Sequence, residues 1–214
     1  MARQFNILIR NGLVFDGAGS APIRQDIGID DDRIAEIGDL TDSGATTVVD
    51  AANRYVVPGF IDLTNHSDTH WTLFDQPHQE SLTGQGITTV VGGACGSSLA
   101  PLAKASDIEG IQKWTDITRI NINWQRMSEF LAALDQIPLG VNVATLVGHG
   151  TLRRVVGMDA SNIPTADDIA RMTYLLRDAL AEGAFGLSTS LGRSSALTAD
   201  QSELETLFSV VQEY

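Results

Sequence analysis

The stretch Val57–Asp68 reads VPGFIDLTNHSD and is the most informative about the fold. Its apolar residues end at Leu63 and polar side chains follow, a pattern that predicts a short buried strand running into a loop. In a parallel sheet, the carboxyl ends of the strands carry the residues that do chemistry. His66 lies at such an end and is therefore a candidate metal ligand or acid–base group, although a single histidine after a strand is more often structural or solvent-exposed.

Downstream of this stretch, apolar strands alternate with helical patterns. The predicted strands are Phe60–Leu63, Ile87–Val91, Val141–Val147 and Ala184–Ser188. A capping box at Thr165–Asp168 predicts a helix that Gly183 ends. A second helix is predicted to begin at Thr198–Gln201 and to run to the last residue, Tyr214. This alternation indicates βα units and a parallel sheet, with an insertion or long loop at Ala105–Asn123.

The first 56 residues have a different pattern, in which short strands are separated by turns. The predicted strands are Asn6–Phe15, Asp26–Ile29, Ile34–Ile37 and Thr47–Asp50. Apolar side chains recur at about every second position, as expected for strands with one buried face. We therefore expect two domains, a small β-rich domain over residues 1–56 and an α/β domain over residues 57–214.

The composition narrows the possible function classes. Of the 214 residues, 43% are hydrophobic, which is enough for a sizeable core. A formal net charge of −13 argues against binding to nucleic acid or to an anionic membrane, because both attract clustered Lys and Arg. The single cysteine, Cys95, excludes an intramolecular disulfide, and no apolar segment has the length of a signal peptide or a membrane helix. A soluble cytoplasmic protein is expected.

Cys95 belongs to a second informative stretch, Gln85–Leu102, which reads QGITTVVGGACGSSLAPL. An apolar strand leads here into a glycine-rich loop, and the cysteine lies in that loop. Thiolate is a good ligand for zinc, which also accepts imidazole and carboxylate. Taken alone, a single cysteine is more often a small buried hydrophobic residue.

The stretch around His66 resembles a known superfamily. Pro58–Asp62 followed by His66 resembles the first-strand signature of the amidohydrolase superfamily, in which Pro-Gly-Phe-Ile-Asp leads into a His-x-His metal pair. The β-rich start, with Leu8–Gly12 and Asp31–Gly38, is similar to the small β-sandwich that precedes the barrel in that superfamily.

Three further stretches narrow the resemblance to the N-acyl-D-amino-acid deacylases. Gln85–Leu102 resembles their second strand and the loop after it, where their cysteine binds zinc. Val141–Arg153 and Gly183–Leu191 look like their third and fourth strands. The resemblance therefore covers almost the whole chain.

The resemblance implies an α/β fold in which a β-sandwich segment, residues 1–56, precedes the first four βα units of a metal-dependent hydrolase (β/α)8 barrel, residues 57–214. The barrel is expected to be incomplete, since a whole one needs about 250 residues. The implied cofactor is zinc, with His66 and Cys95 as ligands, and the implied substrate is a small N-acyl amino acid. The general-base Asp and the other ligands are expected downstream of Tyr214, so this chain alone is expected to be inactive.

Other residues near the strand ends receive roles from the same resemblance. His149 and Ser188 are candidates for the substrate pocket, and a structural hydrogen bond is an equally open alternative for His149. The family has a second metal-binding His where this sequence has Thr64. Because a hydroxyl is a poor zinc ligand, one tight zinc site is expected and the second is weakened or lost. His70 would share a face with His66 in a helix, but a loop with a surface His70 is expected.

The implied reaction is the metal-assisted hydrolysis of a linear amide, namely the deacylation of N-acyl-D-amino acids. Two alternatives are open. A cyclic amidohydrolase, similar to dihydroorotase or hydantoinase, would carry a bridging carboxylated Lys after the fourth strand, where this sequence has none. A barrel that has lost catalysis and serves as a binding subunit is the other alternative, and Thr64 favours it.

Overall fold

The computed structural model of the chain describes residues 3–110, 120–158, 161–192 and 196–214. The fold is mixed α/β, and it separates into two compact units, Met1–Gly59 and Phe60–Tyr214. Within the described ranges, no helix is long and apolar enough to cross a membrane. The irregular stretch expected at Ala105–Asn123 begins with a 3-10 helix, Ala105–Gly110, and residues 111–119 lie outside the described residues.

The first unit is built on a five-stranded sheet. Its strands are β1 (Gln4–Val14), β2 (Ile23–Asp30), β3 (Arg33–Gly38), β4 (Gly44–Asp50) and β5 (Tyr55–Val56). The order is β3-β2-β1-β4, and β5 also pairs with β1. β1 is antiparallel to β2 and parallel to β4 and β5. All four strands predicted in this part of the chain are confirmed, whereas the short β5 has no counterpart in the sequence-based prediction.

The second unit carries parallel strands. They are β6 (Phe60–Asp62), β7 (Ile87–Gly92), β8 (Asn142–Thr145), β9 (Val147–Gly148) and β10 (Leu187–Ser188). β6, β7 and β8 form one parallel sheet, and β9 and β10 form a parallel pair. The first two strands predicted in this unit are confirmed, with ends that differ from the prediction by a single residue.

The third predicted strand, Val141–Val147, is wrong in one respect, because it breaks at Leu146 into β8 and β9. The Leu146 amide donates to the Gly92 carbonyl at 3.0 Å, whereas the next amide, that of Val147, donates to the Gly186 carbonyl at 2.8 Å. The chain therefore changes its pairing partner at Leu146, and one apolar run becomes two strands.

The fourth predicted strand, Ala184–Ser188, is too long, because only β10 pairs with β9. The Ala184 amide donates to the Ala179 carbonyl at 3.0 Å and so still belongs to the end of the preceding helix. Gly186 then takes a φ of +154°, a conformation that L side chains rarely adopt, and leads the chain into β10.

The helices are α1 (Thr72–Asp75), α2 (Glu80–Thr83), α3 (Met127–Leu134), α4 (His149–Val155), α5 (Ala166–Ala181) and α6 (Gln201–Val211). The capping box predicted at the start of α5 is confirmed, with Thr165 as the N-cap. α6 is capped by Asp200 and ends at Val211. The prediction that this helix runs to Tyr214 is wrong, because the amides of Glu213 and Tyr214 donate to the carbonyls three residues before them and form a turn, not an α-helix.

The core of the second unit holds the loop that follows β7. Leu99 in that loop is fully buried, and its carbonyl accepts a hydrogen bond from Trp124 Nε1 at 2.9 Å. Trp124 stacks on Phe74 with ring centroids 5.7 Å apart, and it also packs against Phe130 of α3. Burying a side chain such as Leu99 or Phe130 stabilises the fold by about 1.5–3 kcal/mol. This core therefore anchors the loop that carries Cys95.

Candidate metal centre

The loops that carry His66 and Cys95 leave the same edge of the sheet. β6 and β7 are adjacent and parallel, so their carboxyl ends lie side by side. The loop after β6 stays attached to β7, because the Asn65 amide donates to the Val91 carbonyl at 3.1 Å. The sheet therefore brings the two loops with predicted zinc ligands to neighbouring positions.

His66 is half-buried and begins a single helical turn. The His70 amide donates to the His66 carbonyl at 2.9 Å, and the Thr69 hydroxyl lies 3.5 Å from His66 Nδ1. The centroids of the two imidazole rings are 5.9 Å apart, and the rings are tilted by 30°. The segment is a loop with a turn and no helix, as predicted, whereas the surface position predicted for His70 is wrong, because the turn places its half-buried ring beside His66.

Asp68 joins the two ligand loops. Its side chain is buried, Oδ2 accepts a hydrogen bond from the Gly93 amide at 2.6 Å, and Oδ1 accepts one from the Thr69 amide at 2.6 Å. Burial raises the pKa of the Asp68 carboxyl, and the two amide donors and the nearby His66 oppose that rise. The carboxylate is therefore a structural link between the loop after β6 and the loop after β7.

The loop with Cys95 has an unusual backbone. Cys95 is half-buried and has a φ of +54°, in the left-handed region that disfavours residues other than glycine. Gly93 has a φ of +69°, and a Cβ there would lie 2.0 Å from the Leu146 carbonyl oxygen. Glycine is therefore required at position 93, where the loop crosses the break between β8 and β9.

Ser188, predicted for the substrate pocket, contacts this same loop. Its hydroxyl donates to the Gly93 carbonyl and accepts a hydrogen bond from the Gly96 amide at 2.9 Å. The side chain is buried at the end of β10. The structure therefore brings Ser188 to the main chain on both sides of Cys95.

The side chains of Thr151 and Ser98 hold the other end of the loop after β7 in place. The Thr151 hydroxyl accepts from the Ser98 amide at 2.9 Å and donates to the Ser98 carbonyl at 3.1 Å. The Ser98 hydroxyl in turn accepts from the Gly148 amide at 2.9 Å. The loop after β7 is thus tied to β9 and to α4.

His149 is fully buried and uses both ring nitrogens within the protein. Nε2 lies 2.8 Å from Glu203 Oε1, and Nδ1 lies 3.1 Å from the Thr189 hydroxyl. Arg153 Nη1 donates to both Glu203 oxygens, at 2.9 and 2.6 Å. These contacts tie α4 to α6 and to the chain after β10.

Several residues of these contacts are absent from the sequence-based candidates, among them Asp68, Thr151 and Glu203. A polar run that continues past His66 is a signal that could have pointed to Asp68. Glu203 lies 54 residues from His149 and on a different helix, so no local pattern connects them.

The donor chemistry at the strand ends fits zinc in part. An imidazole and a thiol, each half-buried, match the nitrogen and sulfur ligands that zinc prefers. Among the residues that the structure describes, no group of three or more His, Cys, Asp or Glu side chains is arranged to hold a metal ion. His66 and Cys95 would therefore supply part of a tetrahedral set.

Parallel strands with polar loops at their carboxyl ends are typical of α/β proteins whose functional residues lie on those loops. The chain belongs to the amidohydrolase family, since residues 47–212 match the model of that family.

Individual relatives cover nearly all of this chain. A D-aminoacylase from Alcaligenes xylosoxydans xylosoxydans is 38% identical over 203 residues, which are 95% of this chain and 41% of the relative. An N-acyl-D-glutamate deacylase from the same organism is 37% identical over 207 residues, which are 97% of this chain and 41% of the relative.

A solved structure is similar over the same extent. The N-acyl-D-glutamate deacylase from Bordetella bronchiseptica, complexed with zinc and a phosphonate inhibitor, has a TM-score of 0.86 and 35% identity, and the match covers 99% of this chain and 44% of that one. The chain thus spans about two fifths of the length of the curated relatives it matches.

Proposed function

We propose that this chain builds part of the active site of a zinc-dependent amidohydrolase that deacylates N-acyl-D-amino acids. The observation that carries the proposal is the link that Asp68 makes between the His66 loop and the Cys95 loop, at the carboxyl edge of adjacent parallel strands. The 38% identity to a D-aminoacylase supports the reaction class. The substrate would be a small N-acyl amino acid, and the proposed location is the cytoplasm.

We further propose that residues 57–214 are the first four βα units of a (β/α)8 barrel and that residues 1–56 belong to a β-sandwich. The parallel order β6-β7-β8 supports the barrel. The change of partner at Leu146 supports it too, because it continues the run of parallel pairing to β10. The TM-score of 0.86 to a deacylase structure supports both parts.

In this proposal, His66 and Cys95 hold the metal as imidazole and thiolate. Zinc, when bound, lowers the pKa of its water toward neutrality and polarises the scissile carbonyl. Asp68 holds the two loops together by accepting hydrogen bonds from the amides of Gly93 and Thr69. The other ligands and the general-base Asp are proposed to come from residues outside this sequence, because the chain spans about two fifths of the length of the relatives it matches.

We propose one tight zinc site instead of two. Thr64 is exposed and its amide donates to Asp62 Oδ1 at 3.2 Å, while its hydroxyl is a weak competitor to imidazole for zinc. Thr64→His in the natural full-length protein is expected to raise the zinc content measured by plasma mass spectrometry. An unchanged zinc content would contradict the proposal that Thr64 stands in the place of a ligand to a second zinc ion.

The test of the proposed function is the hydrolysis of N-acetyl-D- and N-acetyl-L-amino acids by the natural full-length protein. We expect zinc-dependent release of the free D-amino acid, lost in His66→Ala and retained in His78→Ala, which changes an exposed histidine. The 214-residue chain alone is expected to release no product. Full activity of His66→Ala would overturn the site, and a folded full-length protein without activity would favour a binding subunit.

A further inference from the structure

We propose that Ser188 is a positioning residue for the metal site, whose hydroxyl holds the loop of residues 93–96 so that Cys95 faces the metal. The inference rests on the proposed function, because that function gives Cys95 a metal to face. It differs from the substrate contact expected from the sequence, in which the Ser188 hydroxyl would point at a bound molecule.

The Ser188 hydroxyl joins the two ends of the loop. It donates its one proton to the Gly93 carbonyl and accepts from the Gly96 amide at 2.9 Å. The side chain is buried, so water does not replace these bonds easily, and a lost bond leaves a buried polar group unsatisfied. Because its proton is given to the main chain, the hydroxyl has none to donate to a substrate.

The backbone conformation of the loop explains why the two hydrogen bonds of the Ser188 hydroxyl are needed. Gly93, Cys95 and Gly96 have φ values of +69°, +54° and +75°. Glycine adopts the left-handed region freely, whereas cysteine does so at a cost in free energy. Since Ser188 bonds to the residues on both sides of Cys95, it opposes the relaxation of Cys95 to an ordinary conformation.

The pairing of β9 with β10 fixes the position of Ser188. Ser188 lies opposite Gly148 in this pair, and a Cβ at Gly148 would lie 2.6 Å from the Ser97 amide nitrogen. On the other side, a Cβ at Gly96 would lie 3.1 Å from the Ser190 amide nitrogen. The loop therefore rests directly on the main chain of the strand pair, within reach of a short hydroxyl side chain.

The first experiment needs no metal. Cys95 is the only cysteine of the chain, so its rate of reaction with 5,5′-dithiobis(2-nitrobenzoate) reports on this loop alone. Ser188→Ala is expected to raise this rate roughly fivefold or more, as the loss of a buried hydrogen bond predicts. The control Ser190→Ala removes a neighbouring hydroxyl and should leave the rate within about twofold of wild type. Circular dichroism checks that both variants are folded.

Two further measurements keep the inference testable if Ser188→Ala does not fold. Ser188→Thr keeps the hydroxyl and is expected to react at close to the wild-type rate. In the wild-type chain, the Gly96 amide is expected to be protected from hydrogen exchange by its bond to Ser188. A folded Ser188→Ala with an unchanged thiol rate, or an unprotected Gly96 amide, would overturn the positioning role.

Measurements on the metal-loaded full-length protein distinguish a positioning role of Ser188 from a contact with the substrate. Ser188→Ala is expected to weaken Co²⁺ binding about tenfold and to reduce the thiolate-to-cobalt absorption band, as changes next to metal ligands commonly do. A higher KM with unchanged Co²⁺ affinity would assign Ser188 to the substrate instead. If Cys95→Ser keeps its zinc, the proposed function fails while the thiol measurement still tests the Ser188 bridge, so the two failures are distinguishable.

Discussion

The carboxylate of Asp68 accepts a hydrogen bond from the amide of Gly93 at 2.6 Å, and this contact joins the loop with His66 to the loop with Cys95. With 3% of its surface exposed, Asp68 has little access to solvent that could replace its partners. The relative position of the two proposed zinc ligands therefore depends on a side chain that need not touch the metal.

Removing this carboxylate is expected to destabilise the fold. Asp68→Ala leaves the buried amides of Gly93 and Thr69 without acceptors, so we expect the free energy of unfolding to fall by about 1–3 kcal/mol. Urea denaturation measures the change. The control Asp75→Ala alters an exposed carboxylate and should stay within about 0.5 kcal/mol of wild type. Equal effects of the two substitutions would contradict the structural role of Asp68.

Gly93→Ala is expected to be more damaging. The new methyl group would lie 2.0 Å from the Leu146 carbonyl oxygen, and the φ of +69° is strained for alanine. We expect a loss of roughly 3 kcal/mol or more in the free energy of unfolding. The matched change, Gly192→Ala, adds a methyl group with no atom within 4 Å and should be nearly neutral. A Gly93→Ala protein as stable as wild type would mean that the loop does not cross Leu146 in this way.

The buried charges around Glu203 give a third prediction. Glu203→Gln leaves the Arg153 guanidinium buried without its carboxylate, which commonly costs about 3–5 kcal/mol. Thermal and urea unfolding measure the loss. Glu205→Gln, on the exposed side of the same helix, serves as the control and should change stability by less than about 0.5 kcal/mol. Similar stability of the two variants would rule out a structural role for this ion pair.

The capping box of α5 predicts a dependence of stability on pH. The hydroxyl and amide of Thr165 donate to Asp168 and lower the pKa of its carboxyl below the ordinary value of about 4. A carboxyl with a lowered pKa stabilises the folded state above that value, and this contribution is lost as the pH falls through the folded-state pKa.

Asp168→Asn is therefore expected to be less stable than wild type at about pH 7, and the difference should shrink at about pH 2.5. Urea unfolding at both pH values measures it. Asp167→Asn changes an exposed neighbour and should show no such convergence. A difference that stays constant with pH would disprove the capping role of the charged Asp168.

The sequence predicted those features that depend on local patterns. The capping box at Thr165 specifies the start of α5 through side chains three residues apart, and the structure has it. The strands β6 and β7 are also local features, because an apolar run bounded by turns is visible in the chain itself.

Features that depend on distant partners could not be predicted. The break at Leu146 arises because the Leu146 amide donates to the Gly92 carbonyl and the next amide donates to the Gly186 carbonyl. The sequence from Val141 to Val147 shows only one apolar run. The role of Ser188 depends on Gly93 and Gly96, more than 90 residues away along the chain. A pattern at the end of a strand indicates that a polar group is near the site, but it does not indicate which atoms that group contacts.

The zinc content of the natural full-length protein and of its Cys95→Ser variant, determined by plasma mass spectrometry, shows directly whether these loops bind the metal. We predict about one zinc ion per chain in the wild type and a large loss in Cys95→Ser, because a hydroxyl is a much weaker zinc ligand than a thiolate. Ser97→Ala, two residues further along the loop, should keep its zinc. An unchanged zinc content in folded Cys95→Ser would contradict the assignment of the metal site to these loops.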